Sequence, residues 1–145
     1  MTIQIRKANL TDIDGIIAID TQLSEVAKPE YWREIYGHYQ TQRNMELFLV
    51  AKLDSEVVGF IMGEVKAWEY GSSLCGWVFA IGVKQDDRLE GVGSRMLDAL
   101  CANFRKAGVT KVRTMVARQN HELLAFFRSQ GMMAGPYLQL EKELE

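Results

Sequence analysis

Val83-Lys84-Gln85-Asp86-Asp87-Arg88-Leu89-Glu90-Gly91-Val92-Gly93-Ser94 is the stretch on which the reading of this chain turns. Ahead of it runs Leu74-Cys75-Gly76-Trp77-Val78-Phe79-Ala80-Ile81-Gly82-Val83. That run is apolar throughout, as a central strand covered on both faces reads. Behind it, Val92, Met96, Leu100 and Phe104 recur at helical spacing up to about Ala107, and Gly108 supplies the stop. A buried strand therefore ends, a loop turns through Gly91 and Gly93, and a helix begins. Loop amides and the helix N-terminus converge there on one spot suited to an anion. Glycines let phosphate oxygens approach the backbone closely, so the spot reads as a pyrophosphate cradle. The plain alternative is a glycine-rich helix start with no ligand.

Working outward, Ile3-Gln4-Ile5-Arg6 alternates as a short strand. Thr11 is the expected N-cap of a first helix, with Asp14 in the capping-box position and Ile13, Ile16, Ile17 and Leu23 as its stripe. Pro29 opens a second helix carrying Trp32, Tyr36 and Tyr39. Strands are predicted over Leu47–Lys52 and Val57–Val65 around a turn at Asp54-Ser55, with Gly59 and Gly63 marking a bulge or a close backbone approach. Beyond the central helix, Lys111–Ala117 alternates as a strand and Asn120 caps a short helix ending at Gly131. Tyr137–Leu144 reads as a closing strand. The order β-α-α-β-β-β-α-β-α-β predicts one α/β (α+β mixed) domain over residues 1–145, a mixed sheet with helices on its faces.

With 145 residues the chain can bury a full core, and 48% hydrophobic and 25% charged residues are ordinary globular values. A net charge of −2 disfavours a phosphate-backbone binder, so nucleic acid is not an expected partner. Cys75 and Cys101 have neither zinc-ligand spacing nor enough partners for a disulfide framework; no metal is expected, and free thiols suit a reducing cytoplasm. No apolar leader or membrane-length run is read, so no membrane partner is expected.

The cradle admits three ligands by residue logic. A Walker loop needs Lys-Ser/Thr where Ser94-Arg95 stands. A dinucleotide fingerprint needs a small residue in place of Met96 and an acid at the end of the next strand, where Val116-Ala117-Arg118 has none. The chain as a whole resembles the GCN5-related N-acetyltransferase (GNAT) superfamily. Arg88-Leu89-Glu90-Gly91-Val92-Gly93 matches that family's Gln/Arg-x-x-Gly-x-Gly/Ala at a helix start. Asn120, Leu123, Phe126, Gly131 and Met132 fall in register with its next motif.

The resemblance implies a mostly antiparallel, twisted sheet and acetyl-CoA as the acyl donor to an amine acceptor, small molecule or protein, by direct attack in a ternary complex. It implies that backbone groups of Ile81 and Val83 pair with the pantetheine arm and that amides from Arg88 through Leu89, Glu90, Gly91, Val92 and Gly93 to Ser94 hold the pyrophosphate. Asn120 would hydrogen-bond the pantetheine or a nearby group, and Phe127 would lie beside the CoA sulfur. The superfamily also makes a homodimer an open expectation. Three departures stand out. Phe127 occupies the place of a frequent proton-donating Tyr, Glu90 sets an acid near the phosphates, and Gln85 replaces a common Pro.

Acetyl transfer to an ammonium needs a base or a water relay. Glu64 and Glu69 are the nearest carboxylates, Tyr137 is a substitute acid, and the Val83 amide is the candidate oxyanion donor; each also reads as ordinary surface or packing. His121 reads as an exposed helix-start residue, and Asp86-Asp87 as a solvated pair. Trp32, Tyr36 and Tyr39 line either an acceptor pocket or the core. A non-catalytic acyl-CoA-binding or sensor module and a nucleotide-dependent oxidoreductase remain the competing classes.

Overall fold

A computed structural model describes residues 2–67, 71, 73–86 and 89–145. The chain forms two compact units, Met1–Met115 and Val116–Glu145. In the first, β1 (Ile3–Lys7) is followed by α1 (Ile13–Ser24), α2 (Pro29–Gln42), β2 (Phe48–Leu53), β3 (Glu56–Lys66), β4 (Cys75–Val83), α3 (Val92–Lys106) and β5 (Val112–Thr114). The second carries α4 (His121–Ser129).

The five strands lie in the order β1-β2-β3-β4-β5, antiparallel except for the β4–β5 pair. Neighbouring residues of β3 show the two covered faces. Phe60 meets the Trp32 ring of α2 at 5.1 Å, whereas an added Cβ on Gly59 would lie 3.0 Å from Met96 of α3. Val92, Met96, Leu100 and Phe104 are all buried, so the predicted stripe of α3 is the one that meets the sheet. On β3 and β4, Gly63 and Gly76 are the flat places that receive the Phe104 ring; a Cβ on either would lie 2.6 Å from it.

Four expectations are corrected. The first helix is not capped by Thr11: a short 3₁₀ turn, Leu10–Asp12, precedes it, with Asn9 as N-cap and Asp12 reaching back to the Asn9 amide. Asp12 is drawn inward there by Arg6, at 2.8 Å, and Lys52, at 3.3 Å, which an N-terminal capping rule does not weigh. The strand after α3 is only Val112–Thr114 rather than Lys111–Ala117. The apolar run of β4 is not covered along its length, because Phe79 is 53% exposed. The closing strand does not form: Tyr137, Leu138, Leu140 and Leu144 are exposed and without regular structure. Alternation can prepare a strand face, but a strand exists only where a neighbouring edge takes its amides.

Candidate active site

The site begins with a bulge. Along β3 and β4, Met62 pairs with Ala80 and the next pair is Gly63 with Val78, so Phe79 is an extra residue. A bulge bends its strand, and here β4 keeps β5 only over Gly76–Val78. Thr114 Oγ1 donates to the Val78 carbonyl at 2.9 Å, and at that point the two strands part.

Register then fixes the direction of the next amides. Lys84 N donates to Val58 O at 2.8 Å, making 84/58 a bonded pair. Bonded pairs alternate in an antiparallel ladder, so the backbone groups of Val83 and Ile81 point away from β3, toward the side that β5 has left.

At the end of β4 lies a depression of about 400 Å³ lined by Val83, Lys84, Asp86, Leu89 and Glu90. Gly91 follows with φ +86°, a left-handed conformation at the N-cap of α3 that makes no side-chain cap bond. The first intrahelical bond starts at Arg95 N, which donates to Gly91 O at 3.1 Å. The amides of Val92, Gly93 and Ser94 therefore open the helix in the way an anion site requires. Leu89 and Val92 are buried and anchor the loop, while Glu90 is exposed. Lys84 is held by Glu56 at 2.7 Å. Arg88, Asp87 and Glu69 lie outside the described residues.

Glu64 stands opposite Trp77, one pair before the fork, and Lys66 binds it at 3.0 Å. Arg113 of β5 is paired with Trp77, its guanidinium 5.9 Å from the ring centre. Tyr39 of α2 donates its hydroxyl to Gly63 O at 2.8 Å, next to the register shift. Burial, with the Glu64 and Tyr31 charges behind it, pushes the Tyr39 phenol well above its usual range. It is thus a fixed donor, a role that reading Tyr39 only as pocket or core had missed; a large aromatic over a glycine-containing strand was the available signal. Gly63 marked the bulge from the β3 side, whereas Phe79, the extra residue opposite it on β4, is absent from the sequence-predicted site because nothing in its apolar run singles it out.

Asp20, on α1, accepts from Trp32 Nε1 at 2.9 Å and pairs with Lys28 at 3.1 Å. Burial opposes its charge, but the Trp32 bond and Lys28 outweigh that and hold its pKa down. Cys75 is buried, and burial pushes the Cys101 thiol up, so neither has the setting of a nucleophile. No group of three or more His, Cys, Asp or Glu able to hold a metal occurs among the described residues. None of their helices is long and apolar enough to cross a membrane.

In the second unit, Asn120 caps α4, its side-chain oxygen accepting from Leu123 N at 3.1 Å. Phe127 is buried and stacks edge-on with Phe126 at 5.2 Å. His121 is exposed at the helix start, and Tyr137 is 56% exposed.

Comparison with known proteins agrees with this geometry. The family model described as "Acetyltransferase (GNAT) family" matches residues 14–132. An N-alpha-acetyltransferase of Sulfurisphaera tokodaii is 33% identical over 103 residues, 66% of this chain and 59% of that protein. This chain thus matches less than two thirds of that relative. The crystal structure of Ard1 from Thermoplasma volcanium is similar with a TM-score of 0.72 and 25% identity, over 90% of this chain and 82% of that one. The aminoglycoside N-acetyltransferase AAC(6')-Iy, solved with CoA, superposes with a TM-score of 0.79 at 15% identity, over 98% and 95% of the two chains. The forked β4, the left-handed glycine at the start of α3 and the family match over most of the chain lead to one conclusion: the chain belongs to the acetyltransferase (GNAT) family.

Proposed function

We propose that this chain transfers the acetyl group of acetyl-CoA to the α-amine of a peptide or protein N-terminus. The parting of β4 from β5 after Val78 carries the reading, because it leaves outward-facing amides on a strand that ends at a helix N-terminus. A pantetheine arm lying along Ile81 and Val83 would satisfy those amides as an added strand. Its pyrophosphate would meet the amides of Leu89, Glu90, Gly91, Val92, Gly93 and Ser94, with Arg88 adjoining. The four residue steps from Val83 back to Phe79 span about 13 Å, a reach comparable with an extended pantetheine. The thioester would then lie near the fork.

The amine nitrogen attacks the thioester carbonyl carbon, the C–S bond breaks, and the amine's proton leaves as the CoA thiolate is protonated. Among outward-facing amides beyond the fork, that of Ile81 comes first; it is better placed than Val83 to hold the carbonyl oxygen as negative charge develops. Glu64, one pair from the fork, is the described carboxylate best placed to receive the amine proton through water. Lys66 holds that carboxylate in place at 3.0 Å. Water protonates the CoA thiolate. The N-alpha assignment of the acceptor draws on the Sulfurisphaera relative, whose name states that chemistry. Asn120 would reach the pantetheine by its amide nitrogen, since its oxygen already caps α4.

The test is CoA release with acetyl-CoA and short free-amine peptides, against the same peptides blocked at the N-terminus but carrying a lysine. Release with the free-amine peptides alone supports the reading. Release with lysine alone overturns the α-amine assignment, and CoA binding without release from any amine indicates the non-catalytic module.

A further inference from the structure

The sheet of the first unit has two outer edges, and they are not alike. In β1, Ala8 N donates to Phe48 O at 2.9 Å, so Ala8, Arg6 and Gln4 turn their backbone groups toward β2. Ile3, Ile5 and Lys7 turn theirs outward. Two of those outward carbonyls are already taken. Ile3 O accepts from the Arg95 guanidinium at 3.0 Å, and Lys7 O from that of Arg6 at 2.8 Å. Charged side chains held on an edge deter another strand. β5 differs. The Gly76 amide donates to Lys111 O at 2.9 Å, so Lys111 and Arg113 turn their backbone groups to β4, and Val112 and Thr114 present theirs to the outer edge. β5 is last in the sheet, and Met115, next along the chain, is exposed.

The second unit carries a matching segment. Leu138, Leu140 and Leu144 are 83% to 87% exposed, in a stretch without regular structure. They alternate, with Lys142 between, and so share one side of an extended chain. Gln139, Glu141 and Glu143 share the other, and Gln139 already donates to Glu141 at 3.2 Å. A single exposed leucine needs no explanation, but three in step on one side of a segment form a strand face without a sheet.

The side chains of β5 divide in the same way. Val112 is level with Gly76, against which the Phe104 ring of α3 lies; Arg113 is level with Trp77 on the opposite face, and Lys111 is on the side of Arg113. A strand whose leucines lie beside Val112 therefore sets Glu141 and Glu143 on the face of Lys111 and Arg113. Opposite charges on neighbouring strands are stabilising. Glu64 is on that face too, but it stands on β3, across β4, and Lys66 holds it at 3.0 Å.

We propose that residues 137–144 add as a strand to the outer edge of β5 in a second copy of this chain, each copy giving its segment to the other, so that a closed two-fold dimer forms. The backbone groups of Val112 and Thr114 then bond the segment, the leucines leave water beside Val112, and the glutamates meet Lys111 and Arg113. In the single chain the leucines remain in water, which is why the host is another copy. The open stretch of β4 is a poorer host: Phe79, Ile81 and Val83 offer the glutamates no cation, and Lys84 is held by Glu56.

The experiment follows dimerisation of the full chain by sedimentation equilibrium, with hydrogen exchange read on the same samples. We expect a concentration-dependent dimer in which the amides of Val112 and Thr114 are slowed together with alternate amides of residues 137–144. Leu140→Glu should weaken the dimer by about tenfold or more, and Glu141→Lys with Glu143→Lys should do the same. Adding Lys111→Glu and Arg113→Glu to that pair should bring the affinity back to within about threefold of wild type. Lys111 is exposed, so Lys111→Glu against Glu141→Lys keeps the charge swap readable if Arg113→Glu folds poorly. A wild-type chain still monomeric at about 0.1 mM would overturn the proposal, whether or not residues 137–144 are protected. So would a dimer indifferent to Leu140→Glu, or charge reversals that do not rescue one another. A dimer that CoA dissociates would also overturn it, by placing the segment on the open stretch of β4.

Discussion

Single glycines carry two different burdens in this molecule. At Gly91 the burden is conformational: φ is +86°, and nothing lies within 4 Å of an added Cβ. A side chain there meets no steric wall but strains the backbone and enters the mouth of the proposed phosphate site. Gly91→Asp adds a negative charge as well, so CoA affinity should fall by more than about tenfold, and more steeply at low salt. Isothermal titration at two salt concentrations checks it; a change under about threefold would move the phosphate site elsewhere. At Gly76 the burden is packing. The Phe104 ring is buried, and a Cβ would lie 2.6 to 2.8 Å from three of its atoms. Gly76→Ala should therefore destabilise by about 1–3 kcal/mol through overpacking, read as a lower melting temperature. Neither burden can be told from the other in the sequence, where both are simply Gly.

Among the elements, β4 and α2 decide the site. The bulge at Phe79 turns β4 away from β5, and Tyr39 of α2 donates its hydroxyl to Gly63 O beside the shift in register. Removing that donor leaves a buried carbonyl without its bond at the bend that opens the fork. Tyr39→Phe should cost about 1–3 kcal/mol in thermal or denaturant unfolding. If the bond also holds the bulge in place, kcat falls while CoA affinity is kept; unchanged stability and unchanged kcat would show that β4 holds its bend alone. The helix α3 was fully legible in advance, because a stripe at four-residue spacing has one way to meet a sheet. Gly63 marked the place of the register shift on β3, but which residue of β4 is the extra one was not legible, since one residue inserted into an apolar run leaves the pattern of types unchanged while shifting every amide beyond it.

For the molecule as a whole, acid stability turns on Asp12. Its carboxylate is fully buried, with Arg6 bonding both of its oxygens, Lys52 at 3.3 Å and the Asn9 amide at 2.8 Å. Burial alone would raise its pKa; the bonds from Arg6, Asn9 and Lys52 outweigh burial and hold it below its ordinary value of 3.8. A group whose folded pKa is depressed stabilises the fold above the unfolded value and loses that contribution as pH falls through the folded one. Stability should therefore fall as pH drops below about 4. Asp12→Asn should flatten that part of the curve and cost about 3–5 kcal/mol near neutrality by leaving Arg6 and Lys52 unpaired. Denaturant melts of both proteins from pH 2 to 7 check it; parallel curves would show that Asp12 does not govern the acid limb.

What the sequence by itself determined is local. The Gly91-Val92-Gly93 start of α3 and its apolar stripe, Pro29 at the head of α2, the Asn120 cap of α4 and the turn at Asp54-Ser55 all depend on residues within a few positions of one another. The order of elements and the family resemblance follow from such short-range signals. Only the tertiary structure decided the rest. Val112–Thr114 is the whole of β5, because a strand lasts only as long as its neighbour stays beside it, and β4 leaves after Val78. Tyr137–Leu144 alternates like a strand and forms none, since pairing needs an edge that no local pattern supplies. Asp12 became a buried anchor because Arg6 of β1 and Lys52 of β2, 40 residues away in sequence, converge on it. The fork that makes the site belongs to the same class: it exists through the register between two strands, and register is a property of the pair, not of either sequence.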